Sequence, residues 1–249
     1  EILIKAWNGA SDFGNKFGQP LICGSVLTFE HTENEKRYGY DKVIMQAGGI
    51  GYGRKTDSLK GHPQPGDQVI VMGGDNYRIG MGGGAVSSVA TGEYHSGIEM
   101  NAVQRSNPEM QKRVYNAIRA MAESIDNPII SVHDHGAGGH LNSLSELVEE
   151  QGGAIDLGKL PVGDPTLSGK EIIGNESQER MGLVLHAADV EKMQRVAERE
   201  RAPFYVVGEI TGDMNFSFTN AVTGDAPLNL PLKYFFGKPP RTIMADKSV

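Results

Sequence analysis

At 249 residues with 39% hydrophobic content, the chain is long enough to bury a core in one large domain or two smaller ones, and no apolar run reaches the about eighteen residues of a membrane span. A net charge of −7, without clustered lysines and arginines, argues against a nucleic-acid surface, so the expected ligand is small. The single cysteine, Cys23, excludes an internal disulfide and a thiolate-rich metal cluster, and the missing secretory pattern makes the cytoplasm the expected compartment.

Glycine is the compositional outlier, 33 residues gathered in clusters rather than spread as in a linker. The chain opens on Glu1 inside an apolar pattern, Ile2 to Ile4, and a piece of a longer protein is expected. Residues 1–36 read as a short amphipathic segment, a turn at 15–20, an apolar strand over 21–29 interrupted by Cys23, Gly24 and Ser25, and a polar run that marks a domain edge. A strand over 42–46 runs into the glycines at 48, 49 and 51, and a proline-containing loop leads to a buried strand over 68–72. Asn107, Pro108 and Glu109 give an N-cap, a first-turn proline and a first-turn acid for a helix whose apolar face is Met110, Val114, Ala117, Ile118 and Met121. A strand over 128–132, a helix over 141–151 with Leu144, Leu147 and Val148 inward, a strand over 181–186, a helix over 190–201 and a strand over 204–210 complete an α+β layer. The prolines at 227, 231, 239 and 240 predict a linker or docking strap from 225 onward.

Two blocks carry chemistry. The first, residues 133–139, reads His-Asp-His-Gly-Ala-Gly-Gly at the end of an apolar strand. If the strand continues, His133 and His135 share one face and Asp134 takes the other. The histidine face would suit zinc but has no third ligand in sequence, whereas Asp134 before glycines suits magnesium completed by water and phosphate. The bland alternative is an aspartate that caps the next helix. The second block, residues 175–180, reads Asn-Glu-Ser-Gln-Glu-Arg before an apolar strand; it fits either a solvated turn or recognition of a sugar phosphate or amide. The run at 80–85 is glycine-dense but lacks the lysine and hydroxyl of a Walker loop, so a bulge or a close backbone contact explains it equally well. Gln104 precedes the Asn107 cap, near the positive end of a helix dipole. Cys23 has no base beside it and reads as a small buried residue; Arg195, Arg199 and Arg201 read as a solvated face.

Taken in order, the blocks at 17–24, 47–51, 80–88, 103–110, 133–139 and 175–180 closely resemble the large form of the phosphoribosylformylglycinamidine synthase family, the formylglycinamide ribonucleotide amidotransferases of purine synthesis. The resemblance implies an interior segment of the synthetase region. It would hold the end of an N-terminal-type domain (1–36), a domain similar to the C-terminal half of aminoimidazole ribonucleotide synthetase (37–224), and the strap (225–249). It implies an ATP-dependent ligase that works with formylglycinamide ribonucleotide, magnesium and ammonia from a glutaminase domain elsewhere in the polypeptide. By position, Gln104, Glu176, Ser177 and Gln178 are expected to contact substrate, Asp134 to bind magnesium, and Cys23, Gly24 and Ser25 to lie along a nucleotide. The family often has Thr-Gly-Tyr at that last stretch, so the side-chain roles there do not transfer directly. No catalytic residue is assigned within the chain, because the family's ATP loop, other metal ligands and glutaminase triad match nothing in it, and the segment alone is expected to be inactive. Two alternatives stand beside this reading: a structural or docking half-module of the same enzyme, and another ATP-dependent member of the superfamily, such as a selenophosphate synthetase or a thiamine monophosphate kinase.

Overall fold

The computed structural model describes the chain except residues 40–45, 83–85, 87–88, 90–92, 102–106, 178, 238–239 and 246–249. Most of the strand expected at 42–46, together with Gln104, Gln178 and half of the glycine run at 80–85, therefore lies outside the described residues. The chain divides into two compact units, Glu1–Arg54 and Lys55–Val249.

In the first unit, helix α1 (Ile2–Phe17) stops at Gly18 in the left-handed region, where the Gly18 and Gln19 amides bond back to Asn15 and Gly14 carbonyls. Strands β1 (Glu30–Glu33) and β2 (Lys36–Gly39) form a hairpin whose two loop residues, Asn34 and Glu35, both have positive φ, the geometry that matches strand twist. The strand expected at 21–29 does not form: these residues carry no regular structure and are exposed, Cys23 included, which corrects its reading as a buried residue. An apolar run becomes a strand only where a neighbouring strand takes up its backbone hydrogen bonds, and none does so here among the described residues.

The second unit is a seven-stranded mixed sheet in the order β4-β6-β3-β7-β5-β8-β9. Its strands are β3 (Gln68–Met72), β4 (Ile129–Asp134), β5 (Gly153–Asp156), β6 (Met181–Leu185), β7 (Phe204–Ile210), β8 (Asn215–Thr219) and β9 (Leu228–Pro231). All neighbours are antiparallel except β5 and β8. Alternation along β3 explains its layering: Val69 and Val71 face one core, Ile70 and Met72 the other, and all four are fully buried. Helices α3 (Pro108–Ala122) and α6 (Val190–Glu200) cover the Ile70 side through Val114, Ala117, Met121, Met193 and Ala197. Helices α4 (Gly139–Leu147) and α5 (Gly169–Ile173) cover the Val69 side through Leu144, Leu147, Ile172 and Ile173, beside Phe216 and Phe218 of β8. Each such buried aliphatic or aromatic side chain contributes about 1.5–3 kcal/mol. A short helix, α2 (Ser96–Asn101), precedes α3.

The expected α+β layer is thus present, with more strands than periodicity revealed. Residues 228–235 depart from the expected strap: β9 pairs with β8, and Leu232 is buried in the core beside Phe235. A proline is tolerated at the end of an edge strand, where no ladder bond needs its missing N–H, so Pro231 marks an edge rather than a linker.

The cap of α3 is as the sequence predicts, Asn107 Oδ1 accepting from the Met110 amide at 3.0 Å. Asn107→Ala is expected to cost about 1 kcal/mol, read as a lower denaturant midpoint at unchanged slope.

Candidate functional site

The register of the sheet brings the two chemical blocks together. Asp134, the last residue of β4, lies opposite Met181, the first of β6, and Met181 lies opposite Met72 at the end of β3. Three irregular segments therefore emerge at one end of neighbouring strands: 73–82 after β3, 135–138 after β4 and 175–180 before β6. Backbone bonds stitch them together. The Ser177 amide donates to the His135 carbonyl at 3.3 Å, the His135 amide to Arg180 O at 3.3 Å, and the Glu176 amide to Gly80 O at 2.9 Å. Met81 and Asn175 form an isolated antiparallel bridge.

Two glycines make this approach possible. Gly139 has φ +57, and a Cβ there would lie 2.4 Å from Asn175 O; Gly80 has φ +87, and a Cβ there would lie 2.2 Å from Glu176 O. The dense run at 80–85 is therefore, in its described part, a site of close backbone contact.

The solvated-turn alternative for residues 175–180 is overturned. Asn175, Glu176, Ser177, Glu179 and Arg180 are all buried. Glu176 accepts from the Gly138 amide at 3.3 Å, at the start of α4, and the Ser177 hydroxyl bonds the Glu179 carboxylate. Arg180 is fully buried, with Nε donating to Gly74 O at 3.1 Å, Nη1 to Asn175 O at 3.0 Å, and Nη2 to Asn175 Oδ1 at 2.7 Å and Asp75 O at 3.4 Å. Asn175 Nδ2 in turn holds the carbonyls of Tyr77 and Ile79. A buried guanidinium is tolerated because carbonyl dipoles surround it.

Beside Arg180 runs a chain of hydrogen bonds that sequence reasoning missed. Asn76 Nδ2 donates to Pro161 O at 2.7 Å, and its Oδ1 lies 3.2 Å from His140 Nε2, which Arg180 Nη1 also approaches to 3.2 Å. His140 Nδ1 lies 2.9 Å from His135 Nε2, and His135 Nδ1 lies 3.3 Å from the Ser143 hydroxyl, hydrogen-bond reach in each case. Both rings are fully buried and neutral: burial first, then the nearby Arg180 guanidinium, holds both imidazoles well below their usual protonation range. The only sequence signal for this chain was His140 following two glycines, which reads equally as an ordinary first-turn residue.

A pH dependence follows for His140. Unfolded, the ring protonates near pH 6.5; folded, it stays neutral far below that. The unfolded state therefore binds more protons in acid, so the stability contributed by the neutral ring is complete above about pH 6.5 and falls by about 1.4 kcal/mol per pH unit below it. His140→Gln is expected to flatten the acid limb of stability against pH by about one proton, measured by denaturant unfolding between about pH 4.5 and 7.5. An unchanged limb would contradict the buried, neutral assignment.

Asp134 stands between solvent and His133, whose Nδ1 lies 3.6 Å from its Oδ1. His133 and His135 both turn toward α4, where Glu146 pairs with His133 Nε2 and Ser143 and His140 engage His135; the Asp134 side chain is 73% exposed. Among the described residues no three His, Cys, Asp or Glu side chains come together as a metal-binding group. Asp134 thus stands as a mostly exposed carboxylate next to the stitched segments that carry Glu176, Ser177 and the Gly136 to Gly139 backbone. Cys23, Gly24 and Ser25 belong to the first unit, where a Cβ on Gly24 would lie 2.9 Å from the Trp7 ring.

Comparison with known proteins places this geometry. The chain is 42% identical over 254 residues to the phosphoribosylformylglycinamidine synthase of Dictyostelium discoideum, covering 99% of the chain and 18% of that protein. It is 41% identical over 250 residues to the protein of that name from Saccharomyces cerevisiae, covering 97% and 18%, and 44% identical over 214 residues to a probable chloroplastic/mitochondrial one from Arabidopsis thaliana, covering 85% and 15%. It therefore spans between 15% and 18% of the length of these relatives. Among solved structures, T. maritima PurL complexed with FGAR superposes with a TM-score of 0.75 at 21% identity, over 97% of this chain and 38% of that one; the ATP complex gives 0.68 at 20%, over 97% and 37%. These structures share the fold. The family model for AIR synthase related protein, C-terminal domain, matches residues 64–219, strands β3 to β8 and the helices packed on them, and the chain belongs to that family.

Proposed function

We propose that this chain supplies the substrate-side half of an ATP-dependent amidation site, converting formylglycinamide ribonucleotide to formylglycinamidine ribonucleotide. The observation that carries the reading is the meeting of the Asp134 and Glu176–Ser177 segments at one strand end, in a chain over 40% identical to synthases of that name. In this reading the formyl amide oxygen attacks the γ-phosphorus of ATP and ADP leaves; ammonia then adds at the activated carbon and inorganic phosphate leaves, giving the amidine. Glutamine hydrolysis in another domain supplies the ammonia.

Within this chain Glu176 and Ser177, with Gln178 and Gln104 beyond the described residues, hold and orient the substrate. The glycine backbone at 136–139 lets amide groups approach its anionic oxygens without Cβ interference. Cys23, Gly24 and Ser25 are proposed to contact nucleotide through backbone, which suits a stretch whose side chains differ from the family's usual ones. Asp134 fits magnesium as one hard, solvent-facing oxygen donor, the remaining positions being filled by phosphate oxygens, waters and groups outside this chain. When bound, the ion neutralises charge developing on the transferred phosphoryl group. The first unit, Glu1–Arg54, is proposed as the end of an N-terminal-type domain and the second, from Lys55, as the synthetase C-terminal-like domain, which moves the boundary expected at 36/37 past the β1–β2 hairpin. No helix among the described residues is long and apolar enough to cross a membrane.

The test is titration calorimetry of a full-length synthase carrying this segment. Formylglycinamide ribonucleotide is expected to bind, while selenide-pathway and thiamine ligands are not. Binding of the latter in preference would replace this reading with another member of the superfamily.

A further inference from the structure

We propose that Arg180 is a positioning residue for the substrate loop, its buried guanidinium setting the spacing between the segment after β3 and the Glu176–Ser177 segment. The inference rests on the function proposed above and adds a role for a side chain that is itself fully buried. Its three nitrogens address three places: Nε the Gly74 carbonyl, Nη1 the Asn175 carbonyl, and Nη2 both Asn175 Oδ1 and the Asp75 carbonyl. Nη1 also lies 3.2 Å from His140 Nε2, which connects the clamp to the first turn of α4. A planar fork with donors on several edges satisfies this arrangement; a single ammonium does not.

What the clamp fixes is irregular backbone. Residues 73–82 and 175–180 are joined outside the sheet by one isolated bridge, the Glu176–Gly80 bond and the bonds of Asn175 Nδ2 to the Tyr77 and Ile79 carbonyls, and Arg180 adds Gly74 and Asp75 to the same clamp. Its stem runs flush against the chain at Gly73, where a Cβ would lie 2.8 Å from Arg180 Cγ. Glu176 and Ser177 directly follow the doubly clamped Asn175, so their backbone is placed by it. The role thus separates from folding: an apolar side chain of similar length can fill the volume yet release the loops.

The experiment compares Arg180→Lys, Arg180→Met and Arg180→Ala in the full-length synthase, reading KM for each substrate, kcat, and backbone hydrogen exchange. In Arg180→Lys and Arg180→Met, KM for formylglycinamide ribonucleotide is expected to rise at least tenfold while KM for ATP stays within twofold. Exchange over 74–82 and 175–177 is expected to accelerate at least tenfold with β3 and β6 unchanged. Guanidinium at low millimolar concentration is expected to recover part of the KM loss in Arg180→Ala. Unchanged exchange in those loops, equal changes in both KM values, or absence of rescue overturns the positioning role. A wild-type protein that fails to bind formylglycinamide ribonucleotide sinks the functional reading instead, and the exchange comparison still decides whether Arg180 sets the loops.

Discussion

Gly139→Ala is expected to destabilise the second unit by about 2–5 kcal/mol and to empty the site of its geometry. Two costs add. At φ +57 an L side chain is in the left-handed region, which costs about 1–2 kcal/mol. The new Cβ would also fall 2.4, 2.6 and 2.7 Å from the O, C and N of Asn175, all backbone atoms, so relief requires the 175 segment itself to move, adding about 1–3 kcal/mol as overpacking does elsewhere. Against a total stability of about 5–15 kcal/mol this is a large fraction. Chemical denaturation measures the first consequence. The second is loss of ligand affinity even where the protein remains folded, because Arg180 clamps Asn175 and Glu176 follows it. Wild-type stability would show that the two segments are further apart than described.

Asp134→Asn is expected to act in the opposite manner, sparing the fold and removing activity. The side chain is 73% exposed, so its substitution is expected to change stability by no more than about 0.5 kcal/mol. The carboxylate charge is what a hard cation requires, and losing several kcal/mol of transition-state stabilisation corresponds to a rate reduction on the order of a thousandfold. Assaying the full-length enzyme with free ammonia as well as with glutamine separates the synthetase step from ammonia delivery: both activities are expected to fall together. Retained activity with free ammonia would reject Asp134 as the magnesium ligand.

The helices and inner strands were legible in the sequence because their signals are local. Asn107, Pro108 and Glu109 announce α3 by cap chemistry, and the unbroken apolar run of β3 announces a strand buried on both faces. Strands β5, β8 and β9 were missed because each is four or five residues long and depends on a distant partner: β5 pairs with β7 and β8, and β9 only with β8. The apolar run at 21–29 failed in the reverse way, having composition without pairing. At the site, Asp134 and the 175–180 block stood out by their chemistry and their order along the chain. Burial of that block did not, since six polar residues in a row carry no local mark of the carbonyls that would enclose Arg180. Those carbonyls belong to Gly74, Asp75 and Asn175, and two of the three lie more than a hundred positions away.

The most direct measurement of the central claim is a crystal structure of the full-length synthase with formylglycinamide ribonucleotide, magnesium and a non-hydrolysable ATP analogue. The account predicts the ribonucleotide against Glu176, Ser177 and the 136–139 backbone, with an ion about 2.1 Å from an Asp134 oxygen. Ligand density elsewhere, with the Asp134 carboxylate facing only solvent, would contradict it.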